Sequence, residues 1–114
     1  MKPLLLLLVL LAACNQPIPS GPAAGKAYFV QAGCASCHKV GDLGSAVGPD
    51  LTLIGYRQSA EWLDLFIKDP SAWKKDTLMP DKKLSAEARA AIVSYMKELK
   101  GQDWAKGARP WDVP

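Results

Sequence analysis

Histidine occurs once in this 114-residue chain and cysteine three times. A structural zinc site takes four ligands, and beyond one short cluster only a lone cysteine and carboxylates remain to complete one. Excess charge is also scarce. The net charge is +3, and losing Lys2 with a cleaved leader would leave 13 basic against 11 acidic residues, or +2. That is too little to mark a nucleic-acid binder. No apolar run approaches the ~18 to 20 residues of a membrane-spanning helix. No stretch alternates apolar and polar residues as a half-buried strand would, and no internal repeat is present. The length admits one domain at most.

What the N-terminus does have is Lys2 followed by an apolar run over residues 4–11, then Leu11-Ala12-Ala13-Cys14. This reads as an export leader. Its small-small-Cys ending resembles a bacterial lipobox, which implies a signal peptide over residues 1–13 and a lipid on Cys14. An ordinary signal peptide cut near Ala13 is the alternative. Either way the domain is expected outside the cytoplasm, periplasmic or otherwise extracytoplasmic, and lipid-anchored to a bacterial membrane if the lipobox holds. Residues 14–24, with Pro17, Pro19 and Pro22, read as an irregular tether. Its last ten residues, if polyproline-like, reach about 30 Å.

Patterning predicts an all-α domain over residues 25–101, with three main helices. The first covers residues 25–33. The second follows Ser59 as N-cap through Lys68, with Trp62, Leu63, Phe66 and Ile67 as its apolar stripe and Pro70 as its stop. The third, residues 86–100, is capped by Ser85, buries Ile92, Tyr95, Met96 and Leu99, and ends at Gly101. Residues 39–55 and 71–83 read as loops, with one helical turn near Trp73. Trp62 and Trp73 are expected in the core or in a cofactor wall. Residues 102–114 form an irregular tail that carries Trp104 and Trp111.

The chemistry concentrates in Cys34-Ala35-Ser36-Cys37-His38. Two cysteines at this spacing can add across the two vinyl groups of one haem as thioethers, with the adjacent histidine placed to bind the iron. A thioredoxin-like pair, a zinc site and a plain disulfide are the competing readings. The first needs a βαβ setting that the pattern lacks, and the second lacks ligands. Met79 lies in a loop ahead of Pro80, 41 residues after His38. Its soft thioether suits the second axial position, against the common use of methionine as packing. Met96, in mid-stripe, is assigned to the core.

The chain from Gly25 to Lys100 resembles the class I c-type cytochromes, the monohaem mitochondrial- and bacterial-type family. Gly25 and Phe29 are similar to the glycine and aromatic of the family's first helix, with Tyr95 as their partner on the last. Gly48-Pro49-Asp50-Leu51 resembles the Gly-Pro-x-Leu loop, and Asp69-Pro70 and Met79-Pro80 follow in the family's order. The resemblance implies a cytochrome c fold wrapped around one covalent haem c on Cys34 and Cys37. It implies iron ligation by His38 and Met79, with the Pro49 carbonyl orienting His38. Tyr56 and Arg57 are candidates for the haem propionates, since an arginine fork suits a carboxylate.

The expected role is that of a membrane-tethered electron carrier in a respiratory or other extracytoplasmic redox chain. With both axial positions filled it would be no enzyme and bind no small-molecule substrate. Its partners would be redox proteins, acidic ones if Lys26, Lys39, Lys74, Lys75, Lys82 and Lys83 steer the encounter. The alternatives are a monohaem subunit of a larger oxidoreductase, such as a thiosulfate-oxidising or nitrate-reducing complex, and a haem gas sensor with open iron.

Overall fold

The computed structural model describes residues 18–101; the leader, Cys14 and the Trp104 and Trp111 tail fall outside them. Among the described residues five α-helices follow one another: α1 Gly21–Gln31, α2 Ile54–Arg57, α3 Ala60–Lys68, α4 Pro70–Trp73 and α5 Ala86–Lys97. A 3₁₀ turn, Cys34–Ser36, lies between α1 and α2. Among the described residues there is no strand, only an isolated bridge between Val40 and Leu43. None of the described helices is long and apolar enough to cross a membrane. The fold is all-α, as expected, with three longer helices and two single turns.

The caps act where the sequence places them. Ser59 Oγ accepts from Trp62 N at 3.1 Å and Ser85 Oγ from Ala88 N at 3.1 Å, each satisfying one of the orphan donors of a first turn. Boundaries differ from expectation at several points, two of them with a visible cause. Helix α1 starts at Gly21 and so takes in residues 21–24 of the predicted tether. Pro22 sits in its first turn, where a missing N–H costs nothing and the fixed φ suits a helix. Helix α5 stops at Lys97, three residues early. Leu99 is drawn off to accept a hydrogen bond from Gly55 N at 3.0 Å, and Gly101 N donates to Thr52 O at 3.2 Å.

Packing centres on the crossing of α1 and α5. A Cβ on Gly25 would overlap the Ala91 carbonyl, so only glycine permits this approach. One turn on, Phe29 meets Tyr95 edge-on, ring centroids 5.6 Å apart. Phe29, Ile92, Val93 and Leu99 continue through Leu63 and Ile67 of α3 into one apolar cluster. Buried aromatic and aliphatic side chains of this size each contribute roughly 1.5–3 kcal/mol relative to exposure. This frame fixes α1, α3 and α5, and the loops between them shape the site.

Candidate functional site

Helix α1 ends when Gly33 takes φ 81°, a left-handed conformation that glycine adopts freely. The chain then reverses into the Cys34–Ser36 turn, closed by His38 N donating to Cys34 O at 2.9 Å. Cys34 is half-buried and Cys37 exposed, both as free thiols. Burial pushes the Cys34 thiol above its ordinary range, with the Lys82 charge pulling the other way, so the sulfur is held neutral.

The histidine ring is fixed by the next loop. His38 Nδ1 lies 2.8 Å from Pro49 O. A carbonyl only accepts, so Nδ1 is the donor; in the neutral ring this tautomer leaves the Nε2 lone pair free. Gly48 allows this contact. Its N–H donates to Cys37 O at 2.6 Å, and an added Cβ would stand 3.0 Å from His38 Cε1. Gly44, at φ 89°, approaches from the other side, where a Cβ would collide with the His38 carbonyl.

His38 lines an open-sided cleft with about 740 Å³ of atom-free space, part of it continuous with solvent. Leu51, Leu63, Phe66, Ile67 and Ile92 are among its apolar walls, and Trp62 stacks on Phe66 at 4.9 Å between centroids. Met79 reaches the same cleft from the separate loop between α4 and α5, and Cys34 does so from the motif. Met96 also lines it, but from within α5, where it is 5% exposed and packed in the core.

These residues fit a covalent haem. Two thiols spaced for thioethers, an imidazole with Nε2 free, a thioether on another loop and apolar walls for a macrocycle are what such a group requires. The competing readings lack support among the described residues. No group of three or more His, Cys, Asp or Glu comes together as a metal site, and no strand supplies a βαβ setting.

Other residues singled out from the sequence lie elsewhere. Tyr56 and Arg57 are exposed and absent from the cleft lining; Tyr56 instead carries Lys100 Nζ 5.5 Å above its ring. Trp62 is a cleft wall as expected. Trp73 is neither core nor wall: it is 51% exposed, packing on Trp62 from outside at 6.4 Å. Pro70 at the start of α4 is fully buried, whereas Trp73 at its end is half exposed. Of the candidate steering lysines only Lys82 lines the cleft. Sequence reasoning missed that distinction, because six loop lysines look alike until their loops are placed.

The sequence model of the Cytochrome c family matches residues 22–100. The chain is also similar to cytochrome c oxidase subunit 2 of Alkalihalophilus pseudofirmus, at 31% identity over 98 residues. That alignment covers 78% of this chain and 29% of the relative, so the chain spans less than a third of the relative's length.

Proposed function

The chain belongs to the cytochrome c family, whose haem c is covalently bound and transfers electrons, and from that premise we propose a single-electron carrier tethered through a lipid on Cys14 to the extracytoplasmic face of a bacterial membrane. The observation that carries this reading is the His38–Pro49 hydrogen bond. It leaves Nε2 as a donor in a cleft that the Met79 thioether also lines.

Bound haem supplies the one-electron couple. The chain's own residues do the rest. Cys34 and Cys37 hold the group covalently, so it stays through repeated turnover. His38 offers a basic nitrogen and Met79 a soft, neutral sulfur that favours ferrous iron. The apolar walls lower the local dielectric around the group. Were His38 and Met79 both to hold the group, no open site would be left for a substrate. Lys82 at the cleft, with Lys74, Lys75 and Lys83 on the same loop, steers acidic redox partners.

The match to an oxidase subunit supports a second reading, that this domain acts as a monohaem unit within, or alongside, a larger oxidoreductase. Truncation after Gly101 separates the two. A free carrier keeps its electron exchange, whereas a docked unit leaves its complex. The carrier reading itself is tested on wild-type protein. Its ferric spectrum should show the long-wavelength sulfur-to-iron charge-transfer band, and its ferrous form should resist carbon monoxide. Absence of the band together with ready carbon monoxide binding would replace it with the sensor reading. The anchor is tested by Cys14→Ser, expected to release soluble, haem-loaded protein from membranes; retention in the membrane fraction would exclude the lipid as the tether.

A further inference from the structure

Thr52 is the buried polar side chain among the described residues, 2% exposed. A hydroxyl taken out of water is costly unless it is hydrogen-bonded, and this one is used in both directions. Its Oγ1 donates to Asp50 Oδ1 at 2.6 Å and accepts from Gly41 N at 2.8 Å. The Thr52 N–H donates to the same Asp50 oxygen at 2.8 Å, and its carbonyl accepts from Gly101 N. Neither Thr52 nor Asp50 lines the cleft.

The arrangement acts on the peptide one residue upstream. Asp50 follows Pro49, and the Pro49 carbonyl is the acceptor for His38 Nδ1. The ring of Pro49 fixes φ on one side of that carbonyl, and the Asp50–Thr52 bonds fix the residue on the other. Besides the His38–Pro49 bond itself, three cross-links tie residues 48–52 to residues 37–41: Gly48 N to Cys37 O, Leu51 N to Lys39 O, and Gly41 N to Thr52 Oγ1. Only the last runs through a side chain, so only there does residue identity decide whether the link exists.

We propose that Thr52 and Asp50 are positioning residues that hold the Pro49 carbonyl against His38 Nδ1–H and thereby set the basicity of the axial ligand from outside the cleft. The proposal rests on the reading of His38 as that ligand. An acceptor on Nδ1–H gives the ring more anionic character and makes Nε2 a stronger donor, which favours ferric iron. Loosening the carbonyl should therefore raise the reduction potential.

Since His38 is the chain's one histidine, ¹⁵N-histidine labelling of the holoprotein reports on this ring alone. Thr52→Val keeps size and charge and removes the hydroxyl. It should speed Nδ1–H solvent exchange by roughly 3- to 10-fold, the worth of one net hydrogen bond, and raise the potential. Thr52→Ser should restore both. If Thr52→Val does not fold, the exposed Asp50 serves. Asp50→Asn removes the charge but keeps an acceptor, Asp50→Ala removes both, and only the latter should speed exchange by the full factor. Exchange and potential matching wild type in Thr52→Val, or in Asp50→Ala if Thr52→Val does not fold, would make the network purely structural and overturn the proposal. A wild-type Nε2 resonance unaffected by iron would instead overturn the ligand assignment beneath it.

Discussion

The two loops that present His38 and Met79 are held in different ways. The His38 side is stitched across sequence: bonds from Gly48, Leu51 and Gly41 cross eleven to twelve positions to their partners, and Gly55 and Gly101 extend the ties to the residues just after α5. The Met79 side is held by short bonds. Thr77 N donates to Lys74 O at 3.1 Å, Met79 N to Thr77 Oγ1 at 3.1 Å and Lys83 N to Asp81 Oδ1 at 2.8 Å. Leu78 beside the ligand is 94% exposed. A loop whose hydrogen bonds run mostly to its own near neighbours can open without unfolding the body, whereas one stitched to distant segments opens with it. Attachment and orientation therefore belong to the rigid side, and ligand exchange to the looser one.

Removing groups from each side should break the comparison most plainly. Cys34→Ala with Cys37→Ala should lose covalent attachment entirely, so that acid-acetone extracts the haem and polypeptide mass lacks it; retained mass would refute the thioether assignment. Met79→Ala should keep the haem, since both thioethers remain, while losing the charge-transfer band, admitting carbon monoxide and lowering the potential. Met96→Ala should keep the band and cost about 2–5 kcal/mol in stability, as a core truncation does. If Met96→Ala abolishes the band instead, the two methionines exchange roles.

Amide exchange by NMR measures the difference in anchoring directly. Gly48 and Leu51 N–H should exchange roughly a hundredfold more slowly than those of Met79 and Lys83, which local opening exposes. Equal protection would mean that both loops open together. A smaller contrast is expected from substitution. Gly48→Ala presses a Cβ on a ring already held by Pro49 and should cost about 1–3 kcal/mol by chemical denaturation. Leu78→Ser removes no buried contact and should stay within about 0.5 kcal/mol.

What the residues alone made legible is local: the Cys-x-x-Cys-His spacing and the Ser59 and Ser85 caps all act within a few residues. The Pro49 contact, eleven positions from His38, was legible only through a family resemblance. The α1–α5 crossing was legible only through a family resemblance, since a bare glycine in a helix does not announce what it approaches. Less was legible where tertiary placement decides. Pro22 looked like a linker residue until a helix started on it. Arg57 had the right chemistry for a propionate but sits on the exposed α2. The Thr52–Asp50 link joins residues of no distinctive pattern, and burial alone gives Thr52 its weight.

The weakest expected contrast concerns charge at the looser loop. Lys82 lines the cleft, whereas Lys26 is exposed on α1 and does not. Neutralising either to Gln changes net charge equally, so any difference between the variants reflects position. Hexacyanoferrate(III), a small trianion, is a suitable probe because it exchanges one electron with no docking surface of its own. A unit charge about 10 Å from a trianion is worth about 1.2 kcal/mol in water, and ~0.1 M salt cuts that to roughly a third. Lys82→Gln should therefore slow oxidation roughly twofold at that salt, and Lys26→Gln by less. Raising salt toward 1 M, where screening acts over about 3 Å, should bring both variants to the wild-type rate. Equal slowing by the two substitutions would show that net charge alone governs the encounter, and Lys82 would then be an ordinary surface lysine that happens to lie beside the cleft.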